Sequence, residues 1–314
     1  MKWFIDWLTP DVASTIASRI DMITYYIMVV SVFFFFLIFF LMIYFVFKYK
    51  RKTNNDPTSP VDHNLTLEIT WTLIPLALLM VMFVWGYQVY LEMAIPPKDS
   101  IEIKVTGQKW FWTFDYATGA SSPGELVVPV HKPVKVLLSS KDVIHSMYVP
   151  AFRVKMDALP NRYTVLWFEA NQIGEFPMYC TEFCGTEHST MRAKVRVVSQ
   201  EDYQAWLDQA GAGGEGVAPE VYGQTLYKKY ACSTCHSLDG SKITGPSWKG
   251  IWGTQEVTSA GTVKVDENYI RESILTPNAK VVGGYQNPSV MPSYTGILKD
   301  KDIEAIIAYI KTLK

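Results

Sequence analysis

Cys180-Thr181-Glu182-Phe183-Cys184-Gly185-Thr186-Glu187-His188-Ser189-Thr190-Met191 packs two thiols, an imidazole and a thioether into one short loop. With His145 upstream the set becomes two thiolates, two imidazoles and a thioether, the soft and borderline ligands that copper prefers. A Cys/His/Met loop near the end of a β-barrel is how electron-transfer copper sites are built, and one copper needs only one cysteine. Two cysteines four apart let both sulfurs bridge a pair of copper ions, with one terminal imidazole left for each. Bridging spreads charge over both ions, so little geometry changes on electron transfer. Two other readings compete. On an extracytoplasmic domain Cys180 and Cys184 can pair as a disulfide, with His145 a satisfied core histidine. A zinc site using both Cys and both His is compositionally open. Met191 and the surrounding β pattern favour copper.

That β pattern consists of short alternating runs punctuated by Gly and Pro: Ile101-Glu102-Ile103-Lys104-Val105, Val134-Lys135-Val136-Leu137-Leu138 and Tyr163-Thr164-Val165-Leu166-Trp167-Phe168. Such runs read as strands of a sandwich or small barrel, here spanning 96–198. A connecting segment, 199–219, follows. Within it Asp202 to Gln209 suits one short helix, and Ala210-Gly211-Ala212-Gly213-Gly214-Glu215-Gly216 reads as a flexible tether.

The N-terminal segment, 1–95, holds two long uncharged runs, Met22 to Phe47 and Ile69 to Leu91. Each is long enough to cross a hydrocarbon core of about 30 Å as a helix, and the predicted helices cover about 22–47 and 68–92. A cleaved signal peptide competes for the first run. Its apolar stretch is too long for that, begins after position 20 and lacks a small-residue cleavage site before Lys48. Lys48, Lys50, Arg51 and Lys52 hold the connecting loop in the cytoplasm and send everything after Met93 to the other face. A two-helix hairpin with few polar groups forms no channel alone and favours docking against a larger membrane subunit. Glu68, at the cytoplasmic end of the second helix, is either an interfacial charge or part of a proton uptake route.

Composition removes other classes. Twenty-nine Lys+Arg against 30 Asp+Glu leave a net charge of -1 and no basic excess for gripping nucleic acid. At 49% hydrophobic and 14% aromatic the chain is not disordered. Its four cysteines form two close pairs, too few for a disulfide scaffold.

The second pair sits in Cys232-Ser233-Thr234-Cys235-His236, the c-type haem attachment motif, in which two thiols add to haem vinyl groups and the imidazole becomes the proximal iron ligand. Over 220–314 His236 is the only histidine and Met291 the only methionine, so a His/Met ligand pair has one assignment. This unit ends in an amphipathic helix, Asp302 to Leu313, with Ile303, Ile306, Ile307, Ile310 and Leu313 at helical spacing.

Gly107-Gln108-Lys109-Trp110-Phe111-Trp112-Thr113-Phe114-Asp115-Tyr116, Asp142-Val143-Ile144-His145-Ser146, Lys155-Met156-Asp157-Ala158-Leu159-Pro160-Asn161-Arg162 and the Cys180 to Met191 loop resemble subunit II of haem-copper cytochrome c oxidases, from the helical hairpin to about Val198. The resemblance implies a multidomain chain: a two-helix transmembrane hairpin, an all-β cupredoxin-like Greek-key barrel and an all-α cytochrome c domain. It implies that Cys180 and Cys184 bridge the binuclear copper centre CuA, that His145 and His188 each ligate one copper, that Met191 is a weak axial ligand and that Glu182 ligates through its carbonyl. The Glu182 carboxylate would also reach a Mg²⁺ or Mn²⁺ ion shared with subunit I. Trp110 matches the family's electron-input tryptophan, with barrel core or surface anchor as the plain alternative. Glu68, in Leu67-Glu68-Ile69-Thr70-Trp71-Thr72-Leu73-Ile74-Pro75, matches the acid at the mouth of a proton channel.

Residues 220–314 resemble a small class I cytochrome c through Gly223 and Tyr227, Gly245-Pro246, Met291-Pro292 and Tyr309. In that family the Pro246 carbonyl would accept the ring hydrogen bond of His236, and Gly223 would permit close crossing of the terminal helix. The segment Gly253 to Asn268 matches loosely and receives no role.

The resemblance therefore implies subunit II of a terminal oxidase carrying one covalent haem c. Electrons would pass from an external donor through haem c to CuA and on to subunit I, where oxygen is reduced to water with proton translocation. No catalytic residue is expected in this chain. Expected partners are subunits I and III, membrane lipid and an upstream donor: a cytochrome c, another small redox protein or a quinol-oxidising complex. The expected location is the bacterial inner (plasma) membrane, with both redox domains on the periplasmic side. A nitric oxide reductase with a CuA subunit would use the same copper ligands. A membrane-anchored copper-binding or assembly protein would need no covalent haem.

Overall fold

A computed structural model describes residues 11–53, 60–211 and 217–314. Among the described residues two long helices come first, α1 (Ala17–Lys48) and α2 (Leu65–Ala94), each overrunning its expected apolar span at both ends. The early start of α2 has a local cause. Asn64 caps it by accepting the Leu67 N–H at 3.1 Å, and Glu68 reaches back to accept the Asn64 N–H at 3.2 Å, a reciprocal cap that satisfies otherwise orphaned donors. Large apolar side chains are exposed all along both helices, as spans facing lipid require. The two helices touch where the Tyr26 hydroxyl donates to the Leu78 carbonyl at 2.9 Å and where Gly86 faces Ile23.

The helix ends are tied to the β unit by polar bonds. Arg153 grips Asp21 with two nitrogens at 2.9 and 3.0 Å. The Ser14 hydroxyl donates to the Phe152 carbonyl, and the Trp167 indole to the Glu92 carbonyl at 2.8 Å. Arg19 pairs with Glu92.

Ten strands follow: β1 (Ile101–Gln108), β2 (Phe111–Tyr116), β3 (Ser121–Pro123), β4 (Glu125–Pro129), β5 (Pro133–Ser140), β6 (His145–Val149), β7 (Val154–Ala158), β8 (Thr164–Glu169), β9 (Gly174–Cys180) and β10 (Arg192–Val198). They form two five-stranded sheets, ordered β3-β2-β1-β5-β8 and β4-β10-β9-β6-β7. Pairing is antiparallel except for β1 with β5 and β10 with β4. Alternation buries one face of strands such as β5 and β8, and Trp112, Phe114, Leu126, Leu138, Phe168 and Met178 fill the space between the sheets. The three strands expected from alternation are β1, β5 and β8. Helix α3 (Gln200–Gly211) extends the expected short helix, capped by the Ser199 hydroxyl on the Asp202 N–H at 3.0 Å. Of the glycine-rich tether, residues 212–216 lie outside the described residues.

The last unit holds α4 (Pro219–Lys229), the one-turn α5 (Cys232–Cys235), α6 (Glu267–Leu275) and α7 (Asp300–Thr312). α4 and α7 cross at Gly223, where a Cβ would lie 2.0 Å from the Ala305 carbonyl oxygen. The helical unit also carries a hairpin, β11 (Gln255–Thr258) with β12 (Gly261–Lys264), inside the segment that received no role. Its turn needs Gly261 at φ 108°. The hairpin is pinned to the following chain by Ser259 N–H to Val281 and Gly283 N–H to Val257, both at 2.8 Å.

Candidate metal and haem sites

Three strands of one sheet bring the sulfur cluster together. β6 starts at His145, β9 ends at Cys180, and Met191 immediately precedes β10. The pairing of Met147 with Cys180 sets His145 beside the β9 terminus. The ligand atoms of His145, Cys180 and Cys184 lie within 4.8 Å of one another, and all three residues are buried.

The two Sγ atoms are 3.9 Å apart, far beyond the ~2.05 Å of a disulfide. His145 Nδ1 is 3.9 Å from Cys180 Sγ, and His188 Nδ1 is 3.5 Å from Cys184 Sγ. Met191 Sδ is 3.7 Å from Cys184 Sγ, and the Glu182 carbonyl oxygen is 3.4 Å from Cys180 Sγ. Each imidazole thus turns Nδ1 toward a sulfur. Behind His145, Nε2 bonds Asp142 Oδ1 at 2.8 Å, while the other Asp142 oxygen accepts the Lys109 N–H at 2.8 Å.

Burial opposes ionisation of Cys180, yet the His145 ring and backbone hydrogen bonds bring its thiol down to about 7. Cys184 is pushed up to about 12 by burial and by the neighbouring Cys180 sulfur. Burial also works against a charged His145, and the Asp142 carboxylate holds the ring above its usual pKa. A cluster that favours one thiolate and resists the second lacks positive charge, which a soft metal would supply. The donor set therefore fits copper.

Trp110, in the β1–β2 turn, is buried against the loop of Cys184, its indole donating to the Cys184 carbonyl at 3.2 Å. A Cβ added at Gly185, whose φ is 122°, would lie 3.2 Å from the Trp110 ring. Glu182 is exposed beside Phe183, itself 78% exposed. Glu68 lies apart from the sulfurs, in the α2 cap.

The second site is built on α5. His236 follows the helix, is buried, and its Nδ1 donates to the Pro246 carbonyl at 2.7 Å, which leaves Nε2 for a metal. Burial lowers the His236 pKa and so keeps the ring a neutral donor. Burial likewise pushes Cys232 up to about 12 and Cys235 to about 11. An apolar cleft opens beside them, lined by Cys235, His236, Trp248, Ile274 and Met291 among others. A smaller recess touches Cys232, His236, Met291 and Tyr294. His236 and Met291 border both spaces, and the apolar walls suit a planar macrocycle. The residues fit haem c.

The two sites adjoin. The Thr244 hydroxyl, two residues before Pro246, donates to Glu187, next to His188, at 2.9 Å. Sequence reasoning assigned no role to Asp142 or Gly107. An acid three residues before a candidate His was the available signal for Asp142. For Gly107, whose added Cβ would lie 2.9 Å from the His145 ring, no local signal existed.

Three stretches of the chain match known protein families. Residues 3–89 match the cytochrome c oxidase subunit II transmembrane domain, residues 120–198 its periplasmic domain, and residues 221–314 cytochrome c. These matches imply copper in the β unit and haem c in the helical one. Cytochrome c oxidase subunit 2 of Alkalihalophilus pseudofirmus is 32% identical over 87% of this chain and 81% of its own length. That of Cereibacter sphaeroides is 33% identical over 64% of this chain and 79% of its own. Among solved structures, the periplasmic domain of subunit II of the Bradyrhizobium japonicum cytochrome oxidase is 34% identical, covers 37% of this chain and 96% of that one, and has a TM-score of 0.36. Membrane hairpin, β unit and haem-type unit occur here in one order along one chain, and with the Alkalihalophilus relative aligned across most of both lengths, the chain belongs to the cytochrome c oxidase subunit II family.

Proposed function

We propose that this chain is the electron-input subunit of a terminal oxidase, taking electrons at its cytochrome unit and delivering them through its copper site to subunit I. The observation that carries this reading is the Thr244 to Glu187 bond, which joins the loop behind His236 to the loop holding His188. Bound haem and copper supply one-electron chemistry; the chain's residues decide where it happens. Cys180, Cys184, His145, His188, Met191 and the Glu182 carbonyl would hold the copper. Cys232, Cys235, His236 and Met291 would hold the haem. The Asp142 and Pro246 bonds keep the His145 and His236 rings from turning.

The proposal carries further parts. The chain divides at 1–95, 96–198, 199–219 and 220–314. Trp110, bonded to the copper loop, lies on the electron path. The exposed Glu182 carboxylate holds Mg²⁺ or Mn²⁺ at the boundary with subunit I, and Glu68 takes part in proton uptake that couples oxygen reduction to translocation. The hairpin sits in a bacterial inner membrane, with the redox units on the periplasmic side and subunits I and III beside it. The donor is a c-type cytochrome, another small redox protein or a quinol-oxidising complex.

Gas consumption by the complex purified through this subunit tests the reading, with a reduced c-type donor and oxygen or nitric oxide offered in turn. Cyanide-sensitive oxygen uptake far faster than nitric oxide loss is expected. Preferred nitric oxide turnover would reassign the enzyme while keeping both redox sites, and a chain without a stable two-copper centre would return it to copper binding or assembly.

A further inference from the structure

Phe111 is out of place on its own strand. Alternation along β2 points Trp112 and Phe114 into the β core and puts Phe111 in phase with Thr113 and Asp115, which are partly exposed. Yet Phe111 is only 3% exposed. Its apolar neighbours belong to the core of the cytochrome unit and not to that of the β unit. Its ring stacks on Tyr294 with centroids 5.6 Å apart and planes at 10°, and meets Tyr230 edge-on at 6.5 Å and 82°. The Tyr294 hydroxyl donates to the Tyr230 carbonyl at 3.0 Å, which holds the two walls of this box together.

The box lies between the two sites. Tyr294 comes three residues after Met291, and Tyr230 two before Cys232. On the other side, Phe111 is flanked in sequence by Trp110, bonded to the Cys184 carbonyl, and Trp112, which packs edge-on against His145 at 5.9 Å. Polar bonds surround the aromatic contact: Gln108 Nε2 to the Ser293 carbonyl at 3.1 Å, Lys229 Nζ to the Ser121 carbonyl at 2.9 Å, and Thr244 to Glu187. A buried aromatic anchor ringed by polar contacts is the arrangement that concentrates binding energy at interfaces.

We propose that Phe111 is the positioning residue that keys the cytochrome unit onto the copper unit, holding the walls of the two redox sites at one fixed separation. The inference rests on the functional reading above and adds to it the residue that sets the geometry of transfer. With both groups bound, one electron would pass per event from the reduced haem to the oxidised copper centre, with no bond made. The partner surface for this face of the copper unit is thus the chain's own cytochrome unit, and an external donor meets the haem rather than the copper.

The test uses the full chain in its oxidase complex, with Phe111→Ala, Phe111→Leu and Phe111→Tyr. Haem c is reduced by a light flash, electron arrival at copper is followed optically, and pulsed EPR measures the haem-to-copper distance distribution. In Phe111→Ala and Phe111→Leu the haem bands and the mixed-valence copper signal should persist, transfer should slow by about tenfold or more, and the distance distribution should broaden. Phe111→Tyr, which keeps the stack, should restore both. Leucine preserves apolar bulk, so it serves if the alanine form is poorly folded. Parental transfer rates with a single narrow distance in the leucine or alanine variant would overturn the proposal. A parent complex lacking the copper signal or haem bands would instead overturn the site assignments on which it rests.

Discussion

Asp142 and His145 are joined, carboxylate to Nε2, at 2.8 Å, and this bond decides which ring nitrogen faces the sulfurs. Because the Lys109 N–H holds the other Asp142 oxygen, the carboxylate is itself fixed. Asp142→Ala should therefore lower copper affinity about 10–100-fold, the usual cost of losing a group that orients a metal-bound histidine. Asp142→Asn, whose side-chain oxygen still accepts, should lose less. Competition with a copper chelator measures both.

Gly107 leaves room for the same ring. A Cβ there would stand 2.9 Å from His145 Cδ2 and 3.1 Å from Cγ, atoms already packed against Trp112. Gly107→Ala should destabilise the metal-free β unit by about 1–3 kcal/mol, the range of core overpacking. Copper content at limiting copper should fall while haem content stays at the parental level, which metal analysis and the haem absorbance read together.

The α4/α7 crossing tolerates no side chain at position 223. The atom a Cβ would strike at 2.0 Å is a backbone carbonyl, which cannot swing aside as a side chain would. Gly223→Ala should cost about 3 kcal/mol or more. Thermal unfolding followed at the haem band should shift down, with the copper signal unchanged.

Copper loading of the metal-free chain should release a pH-dependent number of protons. Below pH 7 both thiols carry protons, since Cys180 titrates at about 7 and Cys184 at about 12. Above it Cys180 is already ionised and Cys184 alone of the pair still gives one up. Release should fall by about one proton as pH rises through 7, while affinity climbs with pH. The raised pKa of His145 adds to release on the acid side. Calorimetry in buffers of different ionisation enthalpy counts the protons; a constant count from pH 6 to 8 would contradict the asymmetry between the two sulfurs.

Local spacing made the donors legible. Cys232, Cys235 and His236 fall within a single helical turn and its end, and Cys180, Cys184, His188 and Met191 within one loop, so their proximity needs no knowledge of the fold. The membrane helices were legible for a similar reason, since an uncharged run long enough to cross a bilayer has few other uses. Their true ends were not, because the Asn64 and Glu68 cap extends α2 beyond its apolar run. Short or weakly alternating strands such as β3 and β7 carried no usable period, and the β11/β12 hairpin depends on bonds to Val281 and Gly283 as much as on its own sequence.

The sequence by itself determined the inventory: two lipid-spanning runs, a soft-metal donor set, a haem-attachment motif and their order along the chain. Chain-local chemistry suffices for these, because ligand type and short spacing are properties of neighbouring residues. Only the tertiary structure decided which distant residues serve them. His145 reaches Cys180 through the β6/β9 register, Asp142 is turned onto His145, Gly107 makes space for that ring, and Phe111 finds Tyr294 across the boundary between two units. Each of these is a side-chain contact between segments far apart along the chain or a choice of ring orientation, and both are settled by packing, which no local pattern encodes.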